Sequence, residues 1–167
     1  RWVARKNPGQ WLVARGKMNF SAVILAGGQS KRMGQDKAWL TLAGKPLIAR
    51  QVELVRALGA AEVFISGRAG TDYDSLGGGV LKDRYEDGGP LAGIESALAA
   101  MRTPLLLVLA VDMPRMQAAP LQMLVAQCTE NCGGVARVEG RIEPLAAVYP
   151  RAALAVAREL LEGGRKA

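Results

Sequence analysis

Two uninterrupted apolar runs constrain this chain more than any other feature. Residues 22–26 read AVILA and residues 105–111 read LLLVLAV, with no polar residue inside either. A strand that is apolar on both faces needs cover on both faces. That is the condition of a buried, mainly parallel sheet flanked by helices. Each run ends at a residue suited to a ligand-facing loop, Gly27-Gly28 after the first and Asp112 after the second.

The rest of the pattern fits the same frame. Residues 62–66 (EVFIS) read as a short strand, and residues 80–81 as a weaker one ending near Asp83. Leu47, Ile48, Val52, Leu54, Val55 and Leu58 follow helical spacing over residues 46–58, with Pro46 at the start and Gly59 past the end. Residues 91–101, entered through Gly89-Pro90, and residues 121–128 read as two further helices. Residues 134–138 and 142–149 read as strands joined around Glu139-Gly140, and residues 152–161 as a last helix capped by Gly163-Gly164. The expected fold class is therefore α/β: a three-layer, doubly wound, mainly parallel sheet. Ligands of such sheets bind at the carboxyl ends of the strands. The candidate positions are the loop after Ala26, the segment after Ser66, Asp83 and Asp112.

Composition removes several function classes. The 167 residues contain no histidine, which excludes Ser-His-Asp and Cys-His catalysis and imidazole metal sites. Two cysteines, Cys128 and Cys132, are too few for a disulfide scaffold or a four-ligand zinc site and read as ordinary thiols of a reducing cytoplasm. No apolar run reaches the roughly 18 residues of a membrane span. The net charge is +7, but residues 1–17 carry Arg1, Arg5, Lys6, Arg15 and Lys17 and no acid. The basicity thus belongs mostly to an N-terminal extension expected to lie outside the fold, and it does not argue for nucleic acid. Met18 reads as a natural start, and residues 18–167 as a single domain.

The loop after Ala26, GGQSKRMGQDK, looks made for phosphate, but not in either of the commonest forms. Gly27 and Gly28 are adjacent and the next glycine is Gly34, so the dinucleotide fingerprint G-x-G-x-x-G is absent. Gly44-Lys45 is followed by Pro46, so there is no P-loop either. Adjacent glycines still let backbone N–H groups face an anion. Lys31, Arg32 and Lys37 add three cations suited to phosphate oxygens. The alternative is a solvated basic loop, which its place at the end of a buried strand disfavours. Asp112 reads as a Mg²⁺ ligand or as a turn aspartate, and the phosphate loop on a neighbouring strand favours the metal. Triphosphate, Mg²⁺, Lys and Arg need no protein nucleophile. The reaction type that follows is nucleotidyl transfer, in which a substrate phosphate attacks an α-phosphate and pyrophosphate leaves.

Four segments carry a resemblance to a known family. VILAGGQSKRMGQDK is similar to the L-A-G-G-x-S-x-R-M-G-x-D-K signature of molybdenum cofactor guanylyltransferases, the MobA family of the nucleotidyltransferase superfamily. DGGPLAGIESAL, LAVDMP and RIEPLAAVYPR resemble, in the family's order, its G-P-L-A-G loop, its metal-bearing strand end and its P-L-x-A-x-Y segment. The resemblance implies a Rossmann-like nucleotide-diphospho-sugar transferase fold. It implies GMP transfer from GTP to the molybdopterin cofactor, with Mg²⁺ as cofactor and with proteins that deliver or receive the pterin as partners. It places GTP contacts at Leu25, Ala26, Gly27, Gly28, Lys37, Asp83, Pro90, Leu91, Gly93 and Asp112. It gives catalytic roles to Arg32, Lys37 and Asp112, with Asp112 on the metal. The bland readings beside it are that Asp83 only ends a strand, that Gly89-Pro90 only starts a helix, and that Gly93 only permits close packing.

Two departures stand out. Gly67 occupies the position where many family members carry a nucleotide-contacting Asn. The chain also stops at Ala167, before an expected N-x-N-T-P strand and final helix, so it reads as shortened at the C-terminus. The alternatives are cytidylyl transfer to the pterin or to a sugar or polyol phosphate, and a non-catalytic nucleotide-binding module. A monomer is favoured. Arg137, Arg141 and Arg151 are the basic candidates for meeting an acidic acceptor.

Overall fold

A computed structural model of the protein describes residues 19–27, 36–67, 71–85, 88–138 and 140–164. The elements run β1 (Phe20–Leu25), β2 (Thr41–Leu42), β3 (Lys45–Pro46), α1 (Leu47–Ala57), β4 (Glu62–Ser66), β5 (Gly79–Leu81), α2 (Gly89–Ala100), β6 (Leu105–Ala110), α3 (Ala118–Ala126), β7 (Gly134–Val138), β8 (Arg141–Pro150) and α4 (Ala153–Glu162). The basic extension, residues 1–17, lies outside the described residues.

The main sheet has six strands in the order β5-β4-β1-β6-β8-β7. The first four are parallel, and β8 and β7 add an antiparallel pair at one side. Both apolar runs become central strands, and every residue of β1 and β6 is buried. Alternate side chains of each strand go to opposite faces. On one face Ala22, Ile24, Leu107 and Leu109 pack against Ile48, Val52 and Val55 of α1 and Leu121 and Val125 of α3. On the other, Val23, Leu25, Leu106 and Val108 pack against Ile94, Ala97 and Leu98 of α2, with Leu154 of α4 alongside. Two cores on two faces make the three layers expected from the sequence. Among the described residues no helix is long and apolar enough to cross a membrane.

The chain moves outward from β1 to β4 and β5, then returns to the other side of β1 to form β6. The sheet therefore reverses its winding between β1 and β6, and a crevice opens beyond their carboxyl ends. That crevice lies directly after Leu25 and Ala110, between Gly27 and Asp112.

Candidate active site

Backbone hydrogen bonds hold the lip of the crevice. The Ala26 N–H donates to the Ser66 carbonyl at 2.7 Å, tying the end of β1 to β4, and the Val111 N–H donates to the Leu25 carbonyl at 3.1 Å, tying β6 to β1. Beyond these ties an open cavity is lined by residues of seven segments. Leu25, Ala26 and Gly27 come from the end of β1, Lys37 from the turn that follows the loop, and Ser66 and Asp83 from the ends of β4 and β5. Gly89 and Pro90 come from the start of α2, and Ala110, Val111 and Asp112 from the end of β6, with Leu145 of β8 completing the wall.

Most of the expected residues that are described meet here. Leu25, Ala26, Gly27, Lys37, Asp83, Pro90 and Asp112 share the one cavity. Gly28, Lys31 and Arg32 lie outside the described residues. Leu91 and Gly93 do not line the cavity. Gly93 sits one turn into α2, where a Cβ would stand 2.3 Å from Ser66 Oγ and 2.8 Å from Leu25 Cδ2. Its visible role is the close approach of α2 to the sheet, the packing alternative read from the sequence. Gly27 is the opposite case. A Cβ there would meet only ordinary contacts, at 3.7 Å from the Gly67 backbone, so packing does not demand glycine. What a side chain would obstruct is the cavity itself. The Ala26 N–H is already committed to Ser66, so it is not the group that would meet an anion there.

Asp83 does more than end a strand. Its Oδ1 accepts a 3.0 Å hydrogen bond from Ser66 Oγ. Burial pushes its pKa above the usual aspartate value, the Ser66 hydroxyl opposes that rise, and the negative charge of Glu95 adds to it. Glu95 is itself buried on α2, and the Arg158 guanidinium of α4 donates to it at 2.8 Å. Ser66, Gly89 and Leu145 escaped the sequence reading. Ser66 could have been found as the last residue of a strand ending at the ligand edge. Leu145 lies in the RIEPLAAVYPR segment that carries the resemblance, but the register that brings antiparallel β8 to the cavity is invisible in the sequence.

The donor set also suits a hard divalent cation. Two carboxylates, Asp83 and Asp112, line the cavity with one ammonium, Lys37. No group of three or more His, Cys, Asp or Glu side chains forms a complete metal site among the described residues. One or two carboxylates with the remaining positions left to phosphate oxygens and water is how Mg²⁺ is commonly held.

Residues 22–167 match the family model of the MobA-like NTP transferase domain. The chain belongs to this family. A protein of Opitutus terrae described as a probable molybdenum cofactor guanylyltransferase is 41% identical over 150 residues, covering 88% of this chain and 74% of the relative. Other relatives at 34–40% identity are likewise described as molybdenum cofactor guanylyltransferases. Among solved structures, an Aquifex aeolicus protein superposes with a TM-score of 0.75 at 27% identity, covering 92% of this chain and 81% of that one. A Mycobacterium tuberculosis protein crystallised in complex with manganese shares the fold, with a TM-score of 0.65 at 17% identity over 86% of this chain and 77% of its own. As a MobA-like NTP transferase, the chain is a nucleotidyltransferase, and its mixed, mostly parallel sheet is the fold of that class.

The structure also accounts for the departure at Gly67. A Cβ at this position would lie 2.1 Å from Cε2 and 2.6 Å from Cζ of Tyr73. The Tyr73 ring fills the space that a longer side chain would need.

Proposed function

We propose that this MobA-like NTP transferase moves GMP from GTP to the molybdopterin cofactor, giving the guanine dinucleotide form and pyrophosphate. The observation that carries the reading is the convergence of Gly27, Lys37, Asp83 and Asp112 on one cavity at the reversal of the sheet. The description of the relatives supports guanylyl over cytidylyl transfer.

In this reading the triphosphate enters over the glycine loop, where Gly27 admits it without a Cβ. An oxygen of the pterin's terminal phosphate forms a bond to the α-phosphorus while the bond from that phosphorus to the β-phosphate bridging oxygen breaks. Pyrophosphate leaves with the electron pair. Lys37 offsets the charge that develops on the phosphate oxygens, and Arg32 is proposed to share that role. Asp112 would hold Mg²⁺, with Asp83 lining the same cavity. When bound, the ion supplies charge neutralisation and orients the phosphates. Ala26 would meet the nucleoside through its backbone carbonyl, since its N–H is used within the sheet, and Leu25 would border it from the same wall of the cavity. The first turn of α2, with Gly89 and Pro90, would border the base and ribose.

On the acceptor side, Arg137 and Arg141 extend past the site end of β6, because Ala146 of β8 pairs with Leu109. Arg151 follows Pro150, which pairs with Leu105, and so sits at the opposite end of the sheet. It is dropped as an acceptor contact. We further infer a cytoplasmic, monomeric enzyme supplied with pterin by other proteins, its fold carried by residues 18–167.

Equilibrium binding of GTP and CTP in the presence of Mg²⁺ tests the donor. GTP is expected to bind at least about tenfold more tightly, a difference of roughly 1.4 kcal/mol. A clear preference for CTP overturns the guanylyl assignment.

A further inference from the structure

Lys37 is the only cation among the described residues that lines the cavity. It stands at the head of a single 3-10 turn, Lys37–Trp39, directly after Asp36. So short a turn does not hold itself in place, and its anchors lie elsewhere in the chain. Ala38 is buried without exposure, and the Ala38 N–H donates to Asp36 Oδ1 at 3.0 Å. The other carboxylate oxygen, Asp36 Oδ2, accepts from the Tyr73 hydroxyl at 3.1 Å. The Tyr73 ring stacks on Trp39, with centroids 6.1 Å apart and planes 9° from parallel. Tyr73 is itself buried, and its ring occupies the space left by Gly67 at the end of β4.

These contacts form one continuous brace. It runs from the end of β4 through the Tyr73 ring to the carboxylate that caps the lysine's own turn. A leucine could fill the same apolar space. The tyrosine also brings a donor to Asp36, which a leucine could not. Both Asp36 oxygens accept from donors inside the protein, which orients the carboxylate, and no ion pair joins Asp36 to Lys37. A lysine neutralised by its neighbour would be a poor phosphate ligand.

We propose that Tyr73 is a positioning residue: through Asp36 and the stack on Trp39 it fixes the Lys37 turn and leaves the ammonium available to the triphosphate. The inference rests on the assignment of Lys37 to phosphate binding made above. Tyr73→Phe keeps the ring and removes the hydroxyl, and is compared with Lys37→Ala and with the double variant. All are checked for a native melting transition, then measured for GTP affinity with Mg²⁺ and for kcat and KM. Tyr73→Phe should lose about three- to tenfold in kcat and in GTP affinity, the worth of one hydrogen bond, with the KM for the pterin acceptor unchanged. In the Lys37→Ala background the same substitution should cost nothing further.

Wild-type kcat and affinity in Tyr73→Phe overturn the proposal. So does an equal loss in both backgrounds, since Tyr73 would then be acting on the fold and not through Lys37. Either result leaves the reading of the cavity standing. A Lys37→Ala variant with wild-type GTP affinity and turnover removes that reading, and the role of Tyr73 with it.

Discussion

Asp83 carries a conflict between stability and function in one side chain. Its carboxylate is half-buried, held by the Ser66 hydroxyl and repelled by Glu95, and its pKa is raised chiefly by burial. A group whose folded pKa is raised in this way destabilises the fold when ionised, and protonation relieves the cost. Asp83→Asn should therefore leave the metal-free protein as stable as wild type or more so at pH 7. That advantage should fade as pH falls through the raised folded pKa, and be gone below the ordinary aspartate value of 3.8. Urea denaturation of both proteins across this range measures it. The same variant should bind GTP with Mg²⁺ about ten- to a hundredfold more weakly, the worth of a charge-assisted contact. An advantage that is absent at pH 7 and appears only in acid contradicts the burial argument. At this scale the sequence was informative about residues that end strands, since Asp83 and Asp112 follow apolar runs. It was less so about glycines. Gly27 and Gly93 look alike in sequence, yet the first faces the cavity and the second faces Ser66 and Leu25.

Among the elements, the end of the sheet away from the site is held by Glu62. Its Oε2 accepts from Ser21 Oγ at 2.7 Å and from the Arg102 N–H at 2.9 Å, joining the starts of β1 and β4 to the approach to β6. Ser21 also bonds Thr103. The backbone N–H of Arg102 is the main cause that holds the Glu62 carboxyl below its usual pKa, against a partial burial that pushes the other way. The exposed Arg102 guanidinium, 4.0 Å away, adds little. Glu62→Ala should cost about 1–3 kcal/mol at pH 7, by leaving two donors without their acceptor. A depressed carboxylate pKa stabilises fully above the unfolded value of 4.5 and loses that contribution as pH falls through the folded value. The gap from wild type should shrink in acid, and a pH-independent gap in urea denaturation would contradict this.

Element type was legible where periodicity was strong. Residues 62–66 and 134–138 form strands with the bounds read from the sequence. Helix α3 begins at Ala118, three residues before the apolar pattern, because Pro120 is tolerated in a first turn that needs no N–H. The two-residue strands β2 and β3 were missed, since pairs of residues have no period.

For the whole molecule, the fold was readable because parallel strands end on one edge and apolar runs mark the centre of the sheet. The chain order alone then put Gly27 and Asp112 on one cavity. The brace from Gly67 through Tyr73 to Asp36 was not readable. It joins residues 37 apart by packing in three dimensions, and nothing in TDYDSL announces it. The side of the sheet on which β8 and β7 add was also hidden, because antiparallel register leaves no mark in composition.

Guanylyl transfer in this cavity is the central proposal. Pyrophosphate release from GTP tests it most directly, measured with Mg²⁺ and with molybdopterin as acceptor. Release should require both, and should fall about a hundredfold or more in the Lys37→Ala and Asp112→Ala variants with their folds intact. No release from GTP under these conditions, or release undiminished in those variants, would contradict it.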